Sequence, residues 1–367
     1  MPHQDFGEFA MVVRRAVPLT LLLLAGRAMH AAAFPPGHLY VHEQTREGCL
    51  QQENWIRQID PETGESWIIA GYEQGLCTNN GMAFTPAGRY LYILNYSGDN
   101  ILALDSDGVV SVRYSDIVNP YSHTGPAWDR FGNFYFASES TWPMMRIRLG
   151  SQVAEFVIDR TAGGGPVART PTDEIMTSMP LPGHAGALAL VTSDGQVSQF
   201  GPAEGAAATA LAIDRRGNIF ASGAPGIVRY DRMDPTTRRL LPATFFGDRA
   251  FAFSDDERTL WVADWFGVYA ADPNTGSRRE VFRFPTGHRG GRGIAVYIPP
   301  KPGDLNCDKR VNHFDIDPFV VALVDAEFYQ QNYGWCRRDL ADVNRDGEID
   351  VFDVDAFVDA VVSQSDR

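Results

Sequence analysis

FAFSDDERTLW, from Phe251 to Trp261, is an apolar strand, an acidic turn and a second strand with an aromatic residue. The pattern recurs. MAFTPAGRYLY runs from Met82 to Tyr92, PAWDRFGNFYF from Pro126 to Phe136, and LAIDRRGNIF from Leu211 to Phe220. A shorter copy, IAV, covers Ile294 to Val296. Two apolar runs around an Asp- or Gly-bearing turn describe a β-hairpin. One alanine marks the phase, at Ala83, Ala127, Ala212, Ala252 and Ala295. The interval from Ala127 to Ala212 is about twice the others, so it spans two units. A period of about 40–45 residues with several short strands per unit indicates a β-propeller.

Counting units gives six blades, with five as the alternative. The strand Gly293 to Tyr297 has no blade of its own. It is expected to pair with the strand beginning His38-Leu39-Tyr40, closing the ring and hiding both sheet edges. The fourth blade, about 163–205, is expected to be irregular, with Gly163-Gly164-Gly165-Pro166 and a strand pair around Gly186 to Phe200. The turns DPETG at Asp60 and DPNTG at Asp272 fall between outer strands. The propeller thus occupies 34–298, and Pro299, Pro300 and Pro302 stiffen a linker at 299–303.

Beyond the linker, 304–367 contains one unit twice. DLNCDKRVNHFD starts at Asp304, and DVNRDGEIDVFD starts 38 residues later at Asp342. Oxygen-bearing side chains stand at loop positions 1, 3, 5, 9 and 12. In the first loop they are Asp304, Asn306, Asp308, Asn312 and Asp315, with the Arg310 carbonyl at position 7. In the second they are Asp342, Asn344, Asp346, Asp350 and Asp353, with the Glu348 carbonyl. Such a loop wraps a hard cation, and calcium takes six to eight oxygens. Two calcium ions are expected. An apolar helical run follows each loop.

Paired twelve-residue loops with Asp at position 12 and a helix after each resemble a type I dockerin. The resemblance covers roughly the last sixth of the chain. It implies a small α-helical domain whose two helices form a calcium-dependent docking surface for a cohesin-like partner. Position 6 holds Lys309 in the first copy and Gly347 in the second. A non-glycine in the left-handed conformation costs about 1–2 kcal/mol, so the first site should be the weaker. Positions 10 and 11 are His313-Phe314 and Val351-Phe352. Both phenylalanines are expected in the core.

At the other end, Arg14 and Arg15 precede the apolar run Ala16 to Ala25, and Ala31 and Ala33 suit cleavage before Phe34. Residues 1–33 fit a signal peptide, with translation beginning at Met1 or Met11. The protein is therefore expected to be secreted, extracellular or at the cell surface, with no membrane span in the mature chain. Four cysteines agree with an oxidising compartment. Of the three possible pairings, Cys49–Cys77 and Cys307–Cys336 keep each bridge within one domain. The net charge of −14 argues against nucleic-acid binding.

The propeller resembles, at repeat level, the six-bladed group that includes NHL-repeat and gluconolactonase-like proteins. In such rings ligands sit in the central channel, lined by residues just before each inner strand. Those are Asn80, His123, His184, Arg249 and Arg292, a set suited to an anionic, carbohydrate or other small-molecule ligand. Trp142, Trp261 and Trp265 are expected to pack between blades. Neither G-x-S-x-G, H-E-x-x-H nor a phosphate-binding Walker loop occurs. Two functions stand: a secreted interaction module with a docking tail, or an extracellular hydrolase of lactone or polysaccharide-derived substrates attached through its dockerin. Whether the protein is an enzyme stays open at this point.

Overall fold

A computed structural model of the chain describes residues 34–45, 53–77, 79–117, 119–122, 125–138, 143–159, 165–181, 184–201, 208–222, 226–241, 245–247 and 249–365. The expected signal segment, Cys49, His123, Glu139 and Trp142 lie outside them.

Six antiparallel sheets follow one another, each a blade. Their inner strands are Asn79–Phe84, Ala127–Trp128, Val167–Arg169, Leu211–Ile213, Ala250–Phe253 and Ile294–Val296. The last pairs antiparallel with Leu39–Gln44, Leu39 opposite Val296 and Val41 opposite Ile294. The ring therefore closes with a strand from each end of the propeller in one sheet, and no inner edge is left open. Six blades is the correct count. Apolar clusters are shared between neighbouring blades. Tyr40 and Ile56 pack with Leu91 and Ile93, and Phe220 and Ile227 with Phe251 and Val262.

The fourth blade departs from the expectation. It is a four-stranded sheet like most of the others, with Ile175–Leu181 and His184–Val191 as a long central hairpin whose register shifts between Met179 and Leu181. Its inner strand carries Ala168, which completes a ring of six alanines with Ala83, Ala127, Ala212, Ala252 and Ala295. The turn after it, Thr170-Pro171-Thr172-Asp173, carries Asp173 where three of the other four turns have glycine.

The turn after each of the first five inner strands is built the same way. Its fourth residue has positive φ and donates its N–H to the carbonyl of the first: Gly88 to Thr85, Gly132 to Asp129, Asp173 to Thr170, Gly217 to Asp214, Glu257 to Ser254. Where that residue is an acid, the carboxylate reaches the preceding blade. Asp173 accepts the Arg130 N–H at 2.8 Å, and Glu257 accepts the Arg215 N–H at 2.8 and 2.9 Å. The strain of a non-glycine at this position is offset by a charge-assisted bond that ties blade to blade.

After the propeller come three helices, α1 (Ile316–Val324), α2 (Ala326–Tyr333) and α3 (Asp353–Ser365). The sequence reading placed α1 and α3 but not α2. The small core contains Leu305, Val311, Tyr329 and Leu340, with Phe319 and Phe357 stacked 3.9 Å apart. These two phenylalanines occupy equivalent positions in the repeat. The Cys307–Cys336 disulfide lies beside them. No helix among the described residues is long and apolar enough to cross a membrane.

Candidate functional site

The two acidic loops have the same internal hydrogen bonding. Asp304 accepts the N–H of Asp308 and Lys309, as Asp342 accepts those of Asp346 and Gly347. Asp315 accepts from Leu305, Asn306 and Asn312. Asp353 does the same for Val343, Asn344 and Asp350. Left-handed residues fall at positions 4 and 6 in both: Cys307 and Lys309 (φ 52° and 70°), Arg345 and Gly347 (φ 63° and 94°). Asn312 Oδ1 also caps Phe314 N–H, as Asp350 Oδ1 caps Phe352 N–H, starting each helix.

This geometry gathers acids where bare carboxylates are unfavourable. Asp304 and Asp315 are buried. Burial, then the Asp308 and Asp315 carboxylates, push Asp304 well above the usual carboxylate range. Burial raises Asp315 to about 7. A hard cation relieves such crowding. No three His, Cys, Asp or Glu side chains among the described residues form a metal-binding group by themselves. The loop's donor set is mixed, with the amide oxygens of Asn306 and Asn312 and the Arg310 carbonyl beside the acids. That set fits the oxygen-rich coordination of calcium.

The helical module sits on the turn side of the propeller. Lys301 Nζ lies 3.0 Å from Asp255 Oδ1, and Arg310 donates to the Arg215 carbonyl at 3.0 Å. Trp335 lies over Gly132, where a Cβ would come within 2.7 Å of the indole. The first loop thereby covers the end of the channel. A cavity of about 340 Å³ lies between the alanine ring and Asn306 to Arg310. Lys309 keeps solvent contact there although protein surrounds it. Burial holds its ammonium below the usual lysine range against the pull of Asp255 and Asp304.

Two of the expected channel residues, Arg249 and Arg292, stand at the opposite end. Arg249 directly precedes the inner strand Ala250–Phe253 and donates to the Phe245 carbonyl at 3.0 Å. Arg292 precedes Ile294–Val296, close enough to affect His42. Asn80 lies within an inner strand, and only its main chain is described. His184 is misplaced in the sequence reading: it opens the third strand of the fourth blade, not the first, because the inner strand lies at Val167–Arg169. Its side chain is outside the description.

The sequence places Glu43, Glu139 and Asp264 one strand beyond the channel lining, within reach of it only in a different register; Glu43 and Asp264 are buried at this mouth. Glu43 is fully buried, paired with Arg57 and with His288 Nδ1 at 2.6 Å, and His288 stacks on Trp55. Asp264 accepts the N–H groups of Phe246, Phe266 and Gly267. The strand Leu39 to Gln44 is buried on both faces, so no alternation marks the direction of the Glu43 side chain. Trp261 packs between blades as expected, but Trp265 is half-exposed beside Arg289.

Comparison places the ring among known structures. A chain of a nidogen–laminin complex superimposes with a TM-score of 0.58 over 71% of this chain and 98% of its own, at 14% identity. TolB from Acinetobacter baumannii gives 0.56 over 71% and 67%, at 12% identity. XC5397 of Xanthomonas campestris, described as a gluconolactonase, gives 0.49 over 68% and 89%, at 16% identity. The shared feature is the fold. No protein-family model matches the chain, and no curated protein matches it.

Proposed function

We propose that this protein is a secreted, ligand-binding β-propeller carrying a dockerin-like, calcium-loaded tail that docks onto a cohesin-like module of an extracellular or cell-surface assembly. One observation carries the reading. The exposed apolar residues of the tail repeat with the loops: Phe314 with Phe352, Ile316 with Val354, Val320 with Val358, Val324 with Val362. Within α1 and α3 they step by four residues, so each helix presents one apolar stripe to solvent. Val324 and Phe352 are 77% and 74% exposed. A duplicated apolar face on a small acidic module suits a protein partner. The core role expected for Phe314 and Phe352 belongs to Phe319 and Phe357.

Each loop supplies side-chain oxygens at five positions and one carbonyl. Lys309 at position 6 makes the first loop the weaker site. Calorimetric titration of the chelated protein should find two calcium ions, and Asp346→Ala should reduce affinity more than Asp308→Ala. The reverse order would remove the argument from Lys309. Immobilised type I cohesin modules should retain the protein in calcium, release it in EDTA, and fail to retain the Val320→Asp/Val358→Asp variant. Retention of that variant at wild-type level would sink the docking face.

The hydrolase reading draws little from the propeller. Retaining and inverting glycosidases need two carboxyl groups flanking the bond. Glu43 is committed to Arg57 and His288, and Asp264 to three main-chain N–H groups.

A further inference from the structure

The left-handed backbone at position 6 of the acidic loops suits glycine, and the second loop has Gly347 there. Lys309 adopts the same conformation with a long side chain. A residue kept in a strained conformation points to a use for its side chain. Lys309 lines the cavity of about 340 Å³ between the first loop and the alanine ring.

The other charges lining that cavity are matched. Asp255 pairs with Arg215 at 2.9 Å and Lys301 at 3.0 Å. Glu257 holds the Arg215 N–H, and Asp129 and Asp214 hold Asn133 and Asn218. Arg169 pairs with Asp173 at 2.8 Å, and Arg310 donates to the Arg215 carbonyl. Asp308 accepts the Arg310 N–H. Lys309 is the one charged side chain of the lining whose head group has neither a hydrogen bond nor an ion pair among the described residues. Much of the remaining wall is apolar: the six alanines, Met82, Trp128 and Phe251. A volume of this size is at the lower end of small-molecule sites.

We propose that the cavity binds a small organic carboxylate with an apolar body, its carboxylate on the Lys309 ammonium and its body against the alanine ring. An ammonium without a protein partner, beside the apolar part of the wall and with the other charges already matched, gains from an anionic acceptor. The site goes beyond tail docking and does not depend on it, since the stripes of α1 and α3 include no residue of the cavity.

The test uses the full chain with saturating calcium, titrated calorimetrically with benzoate and hexanoate and with the neutral benzamide and hexanamide. At least one acid should bind with a millimolar or lower Kd, and its amide at least about tenfold more weakly. Lys309→Gly, which restores the residue of the second loop, and Lys309→Met should each weaken the acid to the level of the amide. Lys309→Gly should keep or raise Tm, so its loss of binding would not reflect misfolding. Equal binding of acid and amide, undiminished acid binding by Lys309→Gly, or no saturation by either acid would overturn the proposal. Cohesin retention by Lys309→Gly, measured alongside, separates this outcome from failure of the docking reading.

Discussion

His42 sits in the second strand of the closing blade, fully buried, with Nε2 3.2 Å from Asn54 Oδ1 and no partner for Nδ1 among the described residues. Burial lowers its pKa from 6.5 to about 3; the Asn54 hydrogen bond opposes this, while Arg292 and Arg289 add to it. The unfolded chain takes up the proton near pH 6.5, whereas the folded chain resists until about 3. His42 therefore favours folding fully above pH 6.5, and that contribution is lost as pH falls toward 3. Between pH 7 and 5 the loss should be about 2 kcal/mol. Urea unfolding at both pH values should show that slope in the wild type and a flatter one in His42→Asn. Equal slopes would place the titration elsewhere. Nothing local announces this histidine: Leu39 to Gln44 looks like any buried strand, and the environment comes from inner-strand and loop residues some 250 positions away.

The hairpin turn shows how a repeat can be carried by geometry when its residues change. Four copies keep enough of the pattern to be legible in the sequence, whereas the strand before Thr170 to Asp173, Val167-Ala168-Arg169, is short and ends in a charge. Thr85-Pro86-Ala87-Gly88 is its near-copy, and that Thr-Pro pair was the available cue. Glu257 shows the same exchange, with its carboxylate on the Arg215 N–H of the preceding blade. Glu257→Ala keeps the left-handed strain and loses the tie, so stability should fall by about 1.5–3 kcal/mol. Scanning calorimetry of that variant measures it, and an unchanged Tm would mean that the tie is replaced by water. In the tail, spacing alone placed both loops and the helices that follow. It did not separate the core pair Phe319 and Phe357 from the exposed Phe314 and Phe352, since all four recur at the same interval.

Across the whole molecule, the tail is seated on the ring rather than held away from it by its prolines. Lys301, Arg310 and Trp335 make that seat, on three different turns of the propeller. Removing two of these contacts with Arg310→Ala/Trp335→Ala should uncouple the parts. Scanning calorimetry should then resolve a separate, calcium-sensitive transition of the tail at lower temperature, where the wild type unfolds with fewer transitions. An unaltered trace would show that the seat contributes little. The periodic elements were determined by the sequence by itself: the blades, their closing strand, and the doubled acidic loop. Each is specified by residues near one another in the chain, through strand alternation, turn chemistry and ligand spacing. Only the tertiary structure decided that the first loop lies over one end of the channel, that Lys309 lines the cavity beside the alanine ring, and that Glu43 pairs with Arg57 and His288. Those outcomes depend on charges and surfaces brought together from distant parts of the chain, and burial sets their strength only after packing is complete.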